Sequence, residues 1–224
     1  MNPKLKKLLP IIAGILVVAI VVVAFLIKGS KSSGSSDNED SGSTPTLSED
    51  QWPAVSLTPT EKSDVSGSLG HWLSFKVERI NVKNAKSMDY LLVYNTSDGG
   101  QQGVPGSVQL AGTSVEKKLL LGSESSGKYR YDAGVETGTM TITFRDSKGK
   151  SLGKLSTEFH LQTGVTELTS ADGNFKYTLD KVAKNVYFVT MKTFTEPEAP
   201  TVVWQNGYGV FSSDGEPHTG TIAE

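Results

Sequence analysis

Histidine is the scarcest chemistry-bearing side chain in these 224 residues, found at His71, His160 and His218, and cysteine is absent. A histidine metal centre needs two or three such rings converging with carboxylates. No two of the three stand at ligand spacing, so they read as edge or surface residues and no metal ligand is expected. Absence of cysteine removes a disulfide scaffold, a thiolate zinc or iron–sulfur centre, a cysteine nucleophile and an acylated anchor. Serine is abundant, but no G-x-S-x-G elbow occurs, and a serine without a positioned base is inert. Glu158 and Glu167 have the residue type of a glycosidase pair, yet two glutamates on strand faces ordinarily serve solubility. The loop from Gly122 to Gly127 lacks the Lys-Ser/Thr ending and following helix of a phosphate cradle. Asp37-Asn38-Glu39-Asp40 lacks the alternating ligands and glycine of a calcium loop. Asn95-Thr96-Ser97 is a glycosylation sequon, relevant only where the transferase exists. No catalytic residue and no cofactor follow, and the chain is expected not to be an enzyme.

Aromatic side chains give the sharper signal. Trp52, Trp72 and Trp204 lie outside the strongest alternating runs, and Trp204-Gln205-Asn206 puts an aromatic beside amides. Such groupings on β-sandwich modules stack on sugars or peptides. Trp72, Trp204 and Tyr208 are therefore the candidate ligand-binding residues. The competing assignment is a tryptophan that closes the end of a core.

The elements that would carry these residues are strands. Leu73, Phe75 and Val77 alternate with polar residues, the pattern of a half-buried strand. Tyr90 to Tyr94 is apolar on both faces and reads as a central strand. Val108 and Leu110, Val115 to Leu121, and Tyr129 with Tyr131 follow. Met140, Ile142 and Phe144 alternate with threonines, and a Ser147-Lys148-Gly149 turn leads to Leu155, Thr157, Phe159 and Leu161, the clearest hairpin in the chain. About seven strands across 72–162 predict an immunoglobulin-like or other Greek-key β-sandwich. Beyond Gly164, a turn at Ala171 to Asn174 and further strand runs near Phe175, Val186, Val202 and Tyr208 predict a C-terminal β extension or a small second β-module. The last ten residues are expected to fray.

The N-terminus has a different character. Leu8 to Ile27 is twenty residues without a charge, about 30 Å as a helix, which matches a bilayer's hydrocarbon core. Its length exceeds a signal-peptide core, and apolar residues continue past Ala24. It lacks the early glutamate of a pilin helix, since the first acid is Asp37. We expect an uncleaved anchor in which Leu8, Ile12, Leu16, Ile20, Ala24 and Ile27 meet the lipid bilayer. Lys4, Lys6 and Lys7 precede the span, favouring a cytoplasmic N-terminus and an extracytoplasmic bulk. Residues 29–50 hold eleven Gly or Ser and one large apolar residue, Leu47, the composition of a flexible linker reaching about 26 Å. From residue 29 onward there are 18 basic against 24 acidic side chains, which argues against a nucleic-acid partner.

The runs Asp89–Leu110, Lys117–Val135, Phe175–Phe194 and Asn206–Phe211 resemble uncharacterised membrane-anchored surface proteins of candidate-phyla (Patescibacteria-type) bacteria, over about residues 72–212. The resemblance implies an envelope location and no reaction. It also implies a Cys pair in several of those proteins where this chain has Glu124 and Tyr129, so a loop-pinning disulfide is missing here. The expected organisation is a tail and transmembrane anchor at 1–28, a flexible linker at 29–63, a β-sandwich at 64–164 and the β extension or module at 165–224. The expected function is a membrane-anchored extracytoplasmic binding or envelope-interaction module for a glycan, a peptide or an envelope protein. The alternatives are an exported wall-polymer hydrolase and a structural envelope subunit.

Overall fold

A computed structural model describes residues 44–198 and 201–223. The expected anchor, with Leu8, Ile12, Leu16, Ile20, Ala24 and Ile27, and the Asp37–Asp40 cluster lie outside the described residues. Within them no helix is long and apolar enough to cross a membrane, and the single helical turn is a 3-10 turn at Glu49–Gln51.

The fold is all β. Strands β1 (Ala54–Thr60), β2 (Trp72–Glu78) and β5 (Val115–Leu120) form a three-stranded antiparallel sheet in the order β1-β2-β5. A second, seven-stranded sheet begins with β4 (Gln101–Gln109), β3 (Ser87–Asn95), β8 (Thr137–Arg145) and β9 (Ser151–Thr163). It continues through β12 (Tyr187–Lys192), β14 (Tyr208–Ser212) and β13 (Val203–Gln205). The two sheets share one core, as expected of a β-sandwich. Leu57, Leu73, Phe75 and Val77 from the smaller sheet meet Met88, Leu92, Met140, Phe144, Phe159 and Met191 from the larger. Period-two alternation is cleanest on β9, whose burial alternates along most of its length, because one face meets this core and the other meets solvent.

At the β12–β14 end both faces of the large sheet are covered. Val189 and Met191 enter the main core, whereas Phe188 and Val210 enter a second one with Leu168, Phe175, Tyr177 and Leu179. The covering layer is a small sheet of β10 (Glu167–Thr169), β11 (Lys176–Leu179) and β15 (Gly220–Ile222). The C-terminal residues expected to fray include β15, which pairs with Tyr177 to Leu179. Fraying is opposed by burial: Tyr177 is 5% exposed, and its hydroxyl donates to the carbonyl of His218 at 2.8 Å.

The expected linker boundary at residue 63 is corrected. Residues 44–63 belong to the same compact unit as the strands. Thr46 bridges Lys154, and Leu47 is buried against Gly153, where an added Cβ would lie 2.4 Å from the leucine side chain. Residues 54–60 form β1 despite Pro53 and Pro59. Proline is tolerated there because β1 is the edge of its sheet, with a ladder on one side only.

Two hairpins bear on the residues singled out above. Strands β6 (Gly122–Ser125) and β7 (Lys128–Tyr131) place Glu124 directly opposite Tyr129. The positions where the resemblance implies a Cys pair are thus cross-strand neighbours. Asn206-Gly207, both at positive φ of 53° and 79°, turn β13 into β14, the geometry of a two-residue hairpin whose twist matches its strands.

Candidate functional site

Strand ends supply the site. The starts of β2, β8 and β12 and the end of β9 meet at one end of the sandwich, and a half-open cleft of about 400 Å³ lies among them. His71 and Gly70 enter from just before β2, Asp132 and Glu136 from the β7–β8 connection, and His160 and Gln162 from the end of β9. Backbone bonds fix these segments. Leu121 N–H donates to the His71 carbonyl at 2.9 Å, Asp132 N–H to Leu121 at 3.1 Å, and Leu161 N–H to Glu136 at 2.6 Å. The Tyr187 ring lies over Gly70 and completes the wall, with Val165 exposed at the rim.

His71 stacks flat on Tyr131, the ring centroids 4.4 Å apart and the planes 8° from parallel. Burial lowers its pKa, opposed by the negative charge of Asp132, so the ring favours the neutral form. Asp132 is itself engaged, since the Tyr94 hydroxyl donates to its Oδ2 at 2.9 Å. Burial first, then that bond, pushes the Tyr94 phenol upward. The Tyr131 hydroxyl is buried without a partner among the described residues. An aromatic row continues outward. Tyr129 lies nearly parallel to Tyr131 at 6.5 Å, Trp72 meets Tyr129 edge-on at 5.7 Å, and Lys62 Nζ sits 5.5 Å from the Tyr129 centroid.

His160 Nδ1 lies 2.9 Å from the Thr169 carbonyl oxygen. A carbonyl only accepts, so Nδ1 carries the proton and Nε2 is the unprotonated nitrogen of the neutral ring. Thr169 Oγ1, 3.2 Å from the same Nδ1, therefore faces a protonated nitrogen and has no base to activate it. Neither cleft histidine is hydrogen-bonded to a carboxylate, and among the described residues no three His, Asp or Glu side chains gather to hold a metal ion. The arrangement can stack, accept hydrogen bonds and attract positive charge.

The residues singled out from the sequence are dispersed. Trp72 flanks the aromatic row beside the cleft. Trp204 lies toward the opposite end, where its indole N–H donates to Thr193 Oγ1 at 2.9 Å; Thr193 bonds Val55 at the start of β1, whereas Trp72 pairs with Thr60 at its end. Tyr208 donates to Asp172 Oδ2 at 2.6 Å and stacks on Phe175 at 5.6 Å. Although burial acts against it, hydrogen bonds from Ser170, Tyr208 and Asn174 hold the Asp172 carboxyl down at about 2. Trp204 and Tyr208 thus fasten local structure. Glu158 and Glu167 do not form a catalytic pair either. Glu167 bonds Gln162 through its carbonyl and ion-pairs Lys176, while Glu158 lies four residues further along β9, about 13 Å at strand rise. His218 Nε2 contacts Asp214 Oδ1 at 3.0 Å, away from the cleft, and clamps the turn after β14.

No family model, curated protein or solved structure matches this chain. The site rests on its own geometry. Sequence reasoning missed Asp132, Glu136, Tyr131 and Gln162, and it held His71 and His160 apart. The available signal was position: His71 immediately precedes a strand, Asp132 immediately follows one, and Glu136 immediately precedes another.

Proposed function

We propose that the chain is a single-pass membrane protein whose β-rich domain stands outside the membrane and binds a partner without catalysing a reaction. The observation that carries this reading is the end cleft, where ring faces, carboxylates and an amide converge without a nucleophile–base pair among the described residues. The charge-free run from Leu8 to Ile27, preceded by three lysines, supports the anchor. The resemblance to candidate-phyla surface proteins supports the envelope location. Strand order supports an immunoglobulin-like sandwich: β1-β2-β5 against β4-β3-β8-β9 corresponds to A-B-E against C′-C-F-G. Strands β12 to β14 then extend the second sheet.

Of a glycan, a peptide and an envelope protein, the cleft matches a peptide segment best. Asp132 and Glu136 supply negative charge, Val135, Leu161 and Val165 supply apolar surface, and His71 and Tyr187 supply ring faces. A segment carrying a basic residue beside an apolar one complements all three. A second reading, an exported wall-polymer hydrolase, draws on the placement of His71, His160, Asp132 and Glu136 in one cleft.

Panning displayed peptides on the full-length chain tests the binding reading. Enriched peptides are expected to carry Lys or Arg, and Glu136→Lys should weaken their binding by about tenfold, since reversing an interface charge removes attraction and adds repulsion. Enrichment of acidic peptides, or binding indifferent to that substitution, overturns the proposal. Release of new reducing ends or amines from purified wall polymer would establish the hydrolase instead.

A further inference from the structure

A second concavity lies on the outward face of the three-stranded sheet, and its Thr60 end adjoins the cleft, since the Gly70 N–H donates to the Thr60 carbonyl at 3.2 Å. This groove measures about 450 Å³, and its far wall is Glu198 and the turn from Ser212 to Gly215. Cross-strand pairing lays out its floor in rows: Ser56 opposite Lys76, Thr58 opposite Ser74, and Thr60 opposite Trp72. Hydroxyl groups therefore run the length of the sheet face, and the last row ends at an indole ring.

We propose that this groove binds a short saccharide that is neutral or amine-bearing. Ser56 is 1% exposed and lines the groove, yet its Oγ has no hydrogen-bond partner among the described residues. A buried hydroxyl in that state bears an unrecovered desolvation penalty, which a ligand hydroxyl removes once the neighbouring groove side chains part to admit it. Hydroxyl and carboxylate groups suit sugar hydroxyls, because the former both donate and accept and the latter accept at several positions. Charge sets the ligand class. Among the lining side chains Glu116, Glu198 and Asp214 outnumber Lys76, which Glu78 Oε1 already holds at 2.6 Å; Lys118, opposite Ser74, is the further cation on this sheet face, and His218 contacts Asp214. Anionic sugars are repelled, whereas neutral or cationic ones are not. Trp72, half-buried with its indole N–H unpartnered among the described residues, stands on the same face as a stacking surface for a sugar ring.

The test is calorimetric titration of the full-length chain with neutral gluco-, manno- and galacto-oligosaccharides, N-acetylglucosamine oligomers and glucosamine oligomers. Polygalacturonate serves as the anionic comparison. At least one neutral or amine-bearing oligomer is expected to bind, and polygalacturonate is not. Thr58→Arg, which fills the groove, should reduce affinity at least tenfold. Ser56→Ala should reduce it about threefold to tenfold while leaving Tm equal to or above that of the parent, since the orphaned hydroxyl is gone. A merely structural serine would not move the two readings in opposite directions. Should Thr58→Arg fail to fold, Ser56→Ala decides alone. The proposal is overturned by absence of binding across the panel, by competition from polygalacturonate, or by a Ser56→Ala variant with parental affinity.

Discussion

His71 is kept neutral by its surroundings, and this has a measurable sign. Its folded pKa lies below the ordinary value because burial outweighs the nearby Asp132 charge. Between the folded and unfolded values the unfolded chain binds a proton that the folded chain does not, so stability falls as pH drops below about 6.5. The depressed carboxylates Asp172 and Asp214 act in a separate window. Their contribution is complete above the unfolded carboxyl value and is lost only as pH falls through the folded one. Replacing His71 by Phe preserves the stack on Tyr131 without a titrating group. Denaturant midpoints at pH 7.5 and 5.5 should show a smaller decline for His71→Phe than for the parent. Identical declines would remove His71 from the account.

Strand β1 shows how an element can be essential and still hard to read. Val55 and Leu57 are fully buried, the Val55 N–H donates to the Thr193 carbonyl, and the Leu57 N–H points at Met191 Sδ. Loss of one such buried side chain costs about 2–5 kcal/mol against a typical total of 5–15. A chain starting at residue 64 is therefore expected to lose its near-ultraviolet circular dichroism, whereas one starting at residue 44 keeps it. A folded product from residue 64 would contradict the role given to β1. Pro53 and Pro59 hid this strand, since proline breaks a ladder unless the strand lies at an edge, and edge position is a tertiary fact. By contrast β8 and β9 were legible, because threonines face water opposite Met140, Ile142 and Phe144. Val186 to Val189 was legible as a buried strand, although the layer covering its second face was not. The cleft was illegible because its side chains come from chain segments far apart in sequence, and no local spacing encodes that meeting.

At the scale of the whole molecule, β12 decides whether residues 165–224 form an appendage or part of one body. It pairs with β9 on one side and β14 on the other, and its two faces enter two different cores. Melting β12 therefore disrupts both cores together. Thermal unfolding is expected as a single transition, with far-ultraviolet circular dichroism coinciding with tryptophan fluorescence from Trp52, Trp72 and Trp204. The three indoles sample different places: Trp52 packs on Phe194, Trp72 on Tyr129, and Trp204 sits on the edge strand β13. Two separated transitions would mark 165–224 as an independent module.

The short attachment that joins the start of the fold to β9 has a mechanical consequence. Leu47 N–H bonds the Lys154 carbonyl, Lys154 N–H bonds Pro45, and the Trp52 indole N–H bonds Leu47. These few contacts are the first to carry tension drawn through Thr44, ahead of the seven-residue ladder between β1 and β2. Tension would peel residues 44–53 before loading that ladder, releasing about 34 Å of extended chain. The segment then behaves as a shock absorber. A pulled domain would gain slack at low force while its cleft and groove stayed intact.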